Sequence, residues 1–81
     1  MIIKLYPYDY SKETPASQMI KVLEELKELE AASNNLESVA KETLDVIQAL
    51  LGYLIVLGID IEAANRWHIE KLTKRHGGVM Q

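Results

Sequence analysis

From residue 15 onward, apolar residues recur every three or four positions, the period of an amphipathic helix. Met19, Val22, Leu23, Leu26 and Leu29 form the first such series, with Thr14 as N-cap and Pro15 at the first helical position. Ser33, Asn34 and Asn35 end it as a turn. Asn34 or Asn35 caps a second helix; with Asn34 as cap, Glu37 would stand at the third position and complete a capping box. This helix is expected to reach about Leu57, with Gly58 just past its end. Its first half is amphipathic, but from Val46 it is apolar nearly all round, so it should be covered on several sides. Gly52 marks a place where another element approaches closely, a candidate helix crossing. Asp60 caps a third helix running from about Ile61 to His76; Gly77 and Gly78 stop it, and Val79 to Gln81 form a frayed tail. Residues 1–14 break the pattern. Tyr6, Tyr8 and Tyr10 alternate around Pro7 and Asp9, and Pro7 disfavours helix before it. An extended strap over a helical core is expected there; the sharper reading is a lid that meets a flat ligand. The fold class is therefore all-α: an antiparallel helical bundle completed by oligomerisation, with an extended N-terminal segment (1–14) and a helical core (15–79).

Length and composition narrow this further. With 81 residues, a single domain over 1–81 is expected, and a lone chain of this size is marginally stable. No cysteine is present to staple it, so oligomerisation is the natural source of further burial. The 48% apolar content excludes a disordered class. A net charge of −3, from 12 acidic and 9 basic residues, gives no basic excess to hold nucleic acid. The apolar run from Val46 to Ile59 is shorter than the ~20 residues that span a bilayer. The stretch Met1-Ile2-Ile3-Lys4 is too short for a signal peptide. A cytoplasmic protein without nucleic-acid or membrane partners is expected.

Two acidic pairs then carry the chemistry. Glu25 and Glu28 lie three apart on the first helix, Glu42 and Asp45 three apart on the second. Residues so spaced are neighbours on a helix surface. With Glu25 as zero on a helical wheel, Leu29, Val22 and Leu26 fall at about 40°, 60° and 100°, and Glu28 at about −60°. With Glu42 as zero, Val46, Val39 and Leu50 fall at about 40°, 60° and 80°, and Asp45 at about −60°. Helices packed through those stripes would bring both pairs to one edge. Ordinary solvated acids would also flank a stripe, but two matched pairs weaken that reading and set a cation site level with it, because four close carboxylates repel strongly without divalent charge between them. Oxygen donors alone suit Mg²⁺, with Mn²⁺ as the other fit. No Glu-x-x-His occurs, which argues against a di-iron bundle.

The third helix offers positive charge. Lys71 and Arg75, spaced i, i+4, share a face and could take phosphate oxygens; the plainer reading is a solvated helix end. Asn65 falls inside the apolar stripe of this helix, where a polar side chain needs a partner. Trp67 lies opposite Leu72 and suits interface packing.

In this order, Glu24-Glu25-Leu26-Lys27-Glu28, Glu42-Thr43-Leu44-Asp45 and Lys71-Leu72-Thr73-Lys74-Arg75-His76 resemble the MazG-type all-α nucleoside triphosphate pyrophosphohydrolases. The resemblance covers roughly residues 15 to 79. It implies Mg²⁺-dependent cleavage of a (d)NTP between the α and β phosphates, giving a monophosphate and pyrophosphate. It makes Glu25, Glu28, Glu42 and Asp45 metal ligands, with Glu28 or Glu42 orienting or deprotonating the attacking water. It gives Lys71 and Arg75 to the triphosphate, leaves Asn65 for sugar or base, and implies a homodimer or homotetramer. The helix that such proteins carry before the first motif is replaced here by the tyrosine-rich segment, so the base is the least transferable feature. The competing reading is a non-catalytic helical oligomerisation module, or a nucleotide- or metal-binding relative without turnover.

Overall fold

A computed structural model of the chain describes residues 3–32 and 34–77. Ser33 and Gly78, expected in a turn and at a helix stop, and the tail Val79 to Gln81, expected to fray, lie outside the described residues, as do Met1 and Ile2. The described residues form three helices and no strand: α1 (Pro15–Ala31), α2 (Leu36–Val56) and α3 (Ile61–Arg75). No single helix among them is long and apolar enough to cross a membrane.

Each helix starts where a side chain satisfies a free amide. The Thr14 hydroxyl accepts from the Ser17 amide at 3.1 Å while Ser17 Oγ accepts from the Thr14 amide at 2.9 Å, a reciprocal box around Pro15. Asn35, not Asn34, caps α2, accepting from the Ser38 amide at 3.0 Å. Glu37 therefore sits one place too early for the expected capping box and instead pairs with Lys41 at 3.4 Å on the exposed face. Asp60 caps α3 through the Ala63 amide at 3.1 Å. Gly58 ends α2 as expected. It holds φ +75°, its amide donates to the Ile55 carbonyl and that of Ile59 to the Leu54 carbonyl, both at 2.9 Å. This paired closure requires a left-handed residue, which glycine adopts without a Cβ clash.

α1 and α2 run antiparallel, since Gln18 meets Ala49 and Glu25 meets Glu42 across their contact. Val22, Val46 and Ala49 make up the buried apolar core, with Gly52 beside them. Gln18, only 2% exposed, donates to the Ala49 carbonyl at 3.1 Å and leaves its own carbonyl oxygen without a partner.

The extended N-terminal segment is tied down by one side chain. Gln48 Oε1 accepts from the Tyr6 amide at 2.7 Å, and its Nε2 donates to the Tyr6 carbonyl at 3.1 Å and to the Tyr10 hydroxyl at 2.7 Å. The close approach at Gly52 involves both the Tyr10 ring and α1: a Cβ there would stand 2.6 Å from the ring and 2.9 Å from the side-chain nitrogen of Gln18.

α3 stands apart. The chain bends by 109° after α2, and α3 has little contact with α2 and does not reach α1. None of its residues is buried, and Trp67 is 59% exposed. Asn65, expected within a covered stripe, is exposed, whereas Ile61 and Leu72 on that stripe are half-buried. The radius of gyration, 14.8 Å, exceeds the roughly 12 Å of a compact chain of this length.

Candidate metal centre

The antiparallel pairing brings the two acidic pairs to one edge of the α1–α2 contact. One oxygen from each of Glu25, Glu42 and Asp45 lies within 4.8 Å of the others. Glu28 stands beside them, close enough to affect both Glu25 and Glu42. Glu25 and Glu42 are half-buried, and one oxygen of each is shut off from solvent without a hydrogen-bond partner. Asp45 and Glu28 are exposed. The electrostatic consequence is large. Loss of hydration, followed by the nearby Glu28, Asp45 and Glu42, pushes the Glu25 carboxyl up to about 7 from an ordinary 4.5. Glu42 is also raised, first by loss of hydration and then by Glu28 and Asp45.

Shielded carboxylate oxygens without partners, in a cluster of three carboxylates, fit a hard divalent cation. Two donors on one Mg²⁺ at about 2.1 Å stand at most about 4.2 Å apart. Small side-chain rotations from the present 4.8 Å would meet that requirement. All the donors are oxygens, the set that Mg²⁺ and Mn²⁺ take.

Beside the carboxylates opens a cleft of about 560 Å³ whose lining includes Glu25, Asp45, Tyr6, Tyr8 and Tyr10. Lys4 and Lys21 line it. Lys71 and Arg75 do not. Both are exposed on α3, and neither is among the charges that shift Glu25 or Glu42. Asn65, on the same helix, is likewise outside the cleft. The acidic residues and the late basic pair therefore do not meet within one chain.

The cleft residues absent from the sequence reading were within reach of the helical wheel. Lys21 falls at about −40° from Glu25, between it and Glu28, and Gln18 at about 20°. Gln48 extends the Glu42–Asp45 spacing by three more positions. A polar line thus continues along the helix contact beyond the carboxylates, but only the arrival of the tyrosine segment turns it into a cleft wall.

The model of the phosphoribosyl-ATP pyrophosphohydrolase family matches residues 6–76, nearly the whole chain. The chain belongs to that family. Phosphoribosyl-ATP pyrophosphohydrolases fall within the MazG-like all-α nucleoside triphosphate pyrophosphohydrolase superfamily, in agreement with the three helices. The family is one of hydrolases acting on a phosphoric anhydride of a nucleotide and is typically dependent on a divalent metal. Its match begins at Tyr6, so the tyrosine segment belongs to the matched region. Searches of the curated proteins and of the solved structures returned no match.

Proposed function

We propose that the chain is a Mg²⁺-dependent pyrophosphohydrolase that cleaves a nucleotide between its α and β phosphates, releasing pyrophosphate and a monophosphate. The observation that carries this reading is the meeting of Glu25, Glu42 and Asp45 within 4.8 Å, with two shielded oxygens left unpaired, in a chain of a pyrophosphohydrolase family. Glu25, Glu28, Glu42 and Asp45 would hold the cation. Once bound, a divalent ion neutralises phosphate charge and makes a nearby water more acidic. Glu28 or Glu42 takes the proton of the attacking water; the water oxygen bonds to the α phosphorus and the bond to the bridging oxygen of pyrophosphate breaks. Lys21 lies within the cleft of the same chain to offset charge on the phosphates.

Lys71, Arg75 and Asn65 enter this scheme only from another copy. α3 does not reach α1; Ile69 on its apolar side is 45% exposed, and Trp67 on the opposite side is 59% exposed. A homodimer or homotetramer would cover the apolar side and could bring the basic pair to a neighbouring triphosphate, with Asn65 toward the sugar or base. The substrate is a free nucleotide in a cytoplasmic setting, with no nucleic-acid or membrane partner. Phosphoribosyl-ATP, which the family is named for, and the common ribo- and deoxynucleoside triphosphates are the candidates.

Pyrophosphate release from that panel with Mg²⁺ tests the reading, with Mn²⁺ in a parallel series. At least one substrate should turn over, and Glu42→Gln should lower kcat by about 100-fold or more while the helical circular dichroism is kept. No release from any substrate with either cation would refute it.

A further inference from the structure

The tyrosine segment does more than cover the helices. A strap that only packs would turn its rings inward, as Tyr10 does against Gly52. Tyr6 and Tyr8 do the opposite: they are 67% and 60% exposed, although the backbone carrying them is fixed. Gln48 grips both the amide and the carbonyl of Tyr6, and the Tyr8 amide donates to the Tyr6 carbonyl at 2.8 Å across Pro7. This tight turn sets the Tyr6 and Tyr8 rings 4.8 Å apart, tilted by 55°, with Tyr10 continuing the row 6.0 Å from Tyr8. The result is an aromatic surface held in place before any ligand arrives, which lowers the ordering cost of binding.

That surface and the acidic cluster share one cleft. Its volume, about 560 Å³, suits a small molecule rather than a macromolecule. Its lining combines the tyrosine rings with Lys21, Glu25 and Asp45. Lys21 pairs with Glu13 at 3.5 Å, and its side chain is 56% exposed. With a divalent cation on the carboxylates, a ligand matched to this lining carries a flat uncharged part and an anionic part.

Resting on the nucleotide reading above, we propose that Tyr6 and Tyr8 form the nucleobase platform of this site. The base stacks on the rings, and the phosphates run past Lys21 toward the carboxylates. Gln48 is the positioning residue that holds the platform at its distance from the cation site. Stacking is tolerant of base identity because every base presents a π face. The platform therefore supplies affinity for the nucleoside, favouring the larger purine surface, while the polar edge of the base is read elsewhere.

The test compares the full-length wild type with two double variants, Tyr6→Ala/Tyr8→Ala and Tyr6→Phe/Tyr8→Phe. Adenosine monophosphate and inorganic pyrophosphate are titrated separately by calorimetry with Mg²⁺ present, and the Mg²⁺-induced shift in Tm is recorded for each protein. In the alanine pair, the Kd for adenosine monophosphate should rise about tenfold or more, with pyrophosphate affinity and the Mg²⁺ shift unchanged. The phenylalanine pair should bind within about twofold of wild type, since the ring faces remain. The platform is overturned if wild type does not bind the monophosphate, or if the alanine pair binds it as tightly as wild type. It is also overturned if that pair loses pyrophosphate binding or the Mg²⁺ shift as well, because the rings would then act through the fold or an interface between copies. These outcomes are separate from hydrolysis: absence of turnover in wild type refutes the enzyme, whereas selective loss of monophosphate affinity supports the platform either way.

Discussion

Replacing Glu25 by Gln should make the metal-free protein more stable. In the folded chain the Glu25 carboxyl is raised from 4.5 to about 7 by loss of hydration and by Glu28, Asp45 and Glu42. A raised acid penalises the folded state when ionised. The penalty is absent below about pH 4.5, grows between 4.5 and 7, and is complete above 7. A unit charge 4.8 Å from Glu25 costs it about 1 kcal/mol in bulk water and about 3–4 kcal/mol at an effective dielectric near 20. Glu25 is half-buried, so solvent screening places the expected gain toward the lower part of that range, at about 1–2 kcal/mol. For a domain of this size each kcal/mol moves Tm by about 4–8 °C. Thermal unfolding at pH 8 without divalent ions should therefore show Glu25→Gln melting several degrees above wild type. At pH 5 the difference should shrink, because the wild-type carboxyl is then largely protonated. Added Mg²⁺ should raise wild type more than the variant, since the cation relieves the same repulsion. A variant no more stable than wild type at pH 8, or one that gains equally from Mg²⁺, would refute the claim that Glu25 is a strained cation ligand.

The same carboxyl should couple metal to protons: near pH 7, Mg²⁺ binding should release a fraction of a proton, visible as a binding heat that depends on the buffer's ionisation enthalpy, and Glu25→Gln should remove most of that dependence. Gly52→Ala should destabilise the fold. A new methyl 2.6 Å from the Tyr10 ring costs about 1–3 kcal/mol against a helix-propensity gain of about 1 kcal/mol, so a rise in Tm would show that Tyr10 does not rest there. Trp67→Glu should lower the apparent mass in sizing chromatography if α3 is covered by another copy; an unchanged elution volume for the variant and an oligomeric wild type would place the interface elsewhere.

Much of this was legible in the residues because local rules dominate it. Thr14, Asp60 and Gly58 act where their side chains or their lack of one dictate, and the wheel positions of Glu25 and Glu42 follow from helical period alone. Asn35 displaced Asn34 as cap by a choice between adjacent equivalent residues, which spacing does not decide. Non-local facts were beyond such reasoning. Gln48 reads as a polar interruption in an apolar run until it is seen to hold Tyr6 and Tyr10, some 40 residues away in sequence. Gly52 signals a close approach without saying what approaches. Lys71 and Arg75 follow the carboxylates in sequence, yet that order does not reveal that α3 stays away from α1.

Under the proposed self-association, the isolation of α3 would give the protein a dependence on its own abundance. Fifteen residues with capped ends are near the shortest length at which a helix survives in water without tertiary support, and α3 has no buried residue to add to its caps. Its order in a lone chain is therefore precarious. Whatever covers it supplies folding free energy by mass action. Dilution would then act on this chain as a mild denaturant applied to one helix, the helix that carries Lys71 and Arg75, while the α1–α2 pair and its carboxylates keep their geometry.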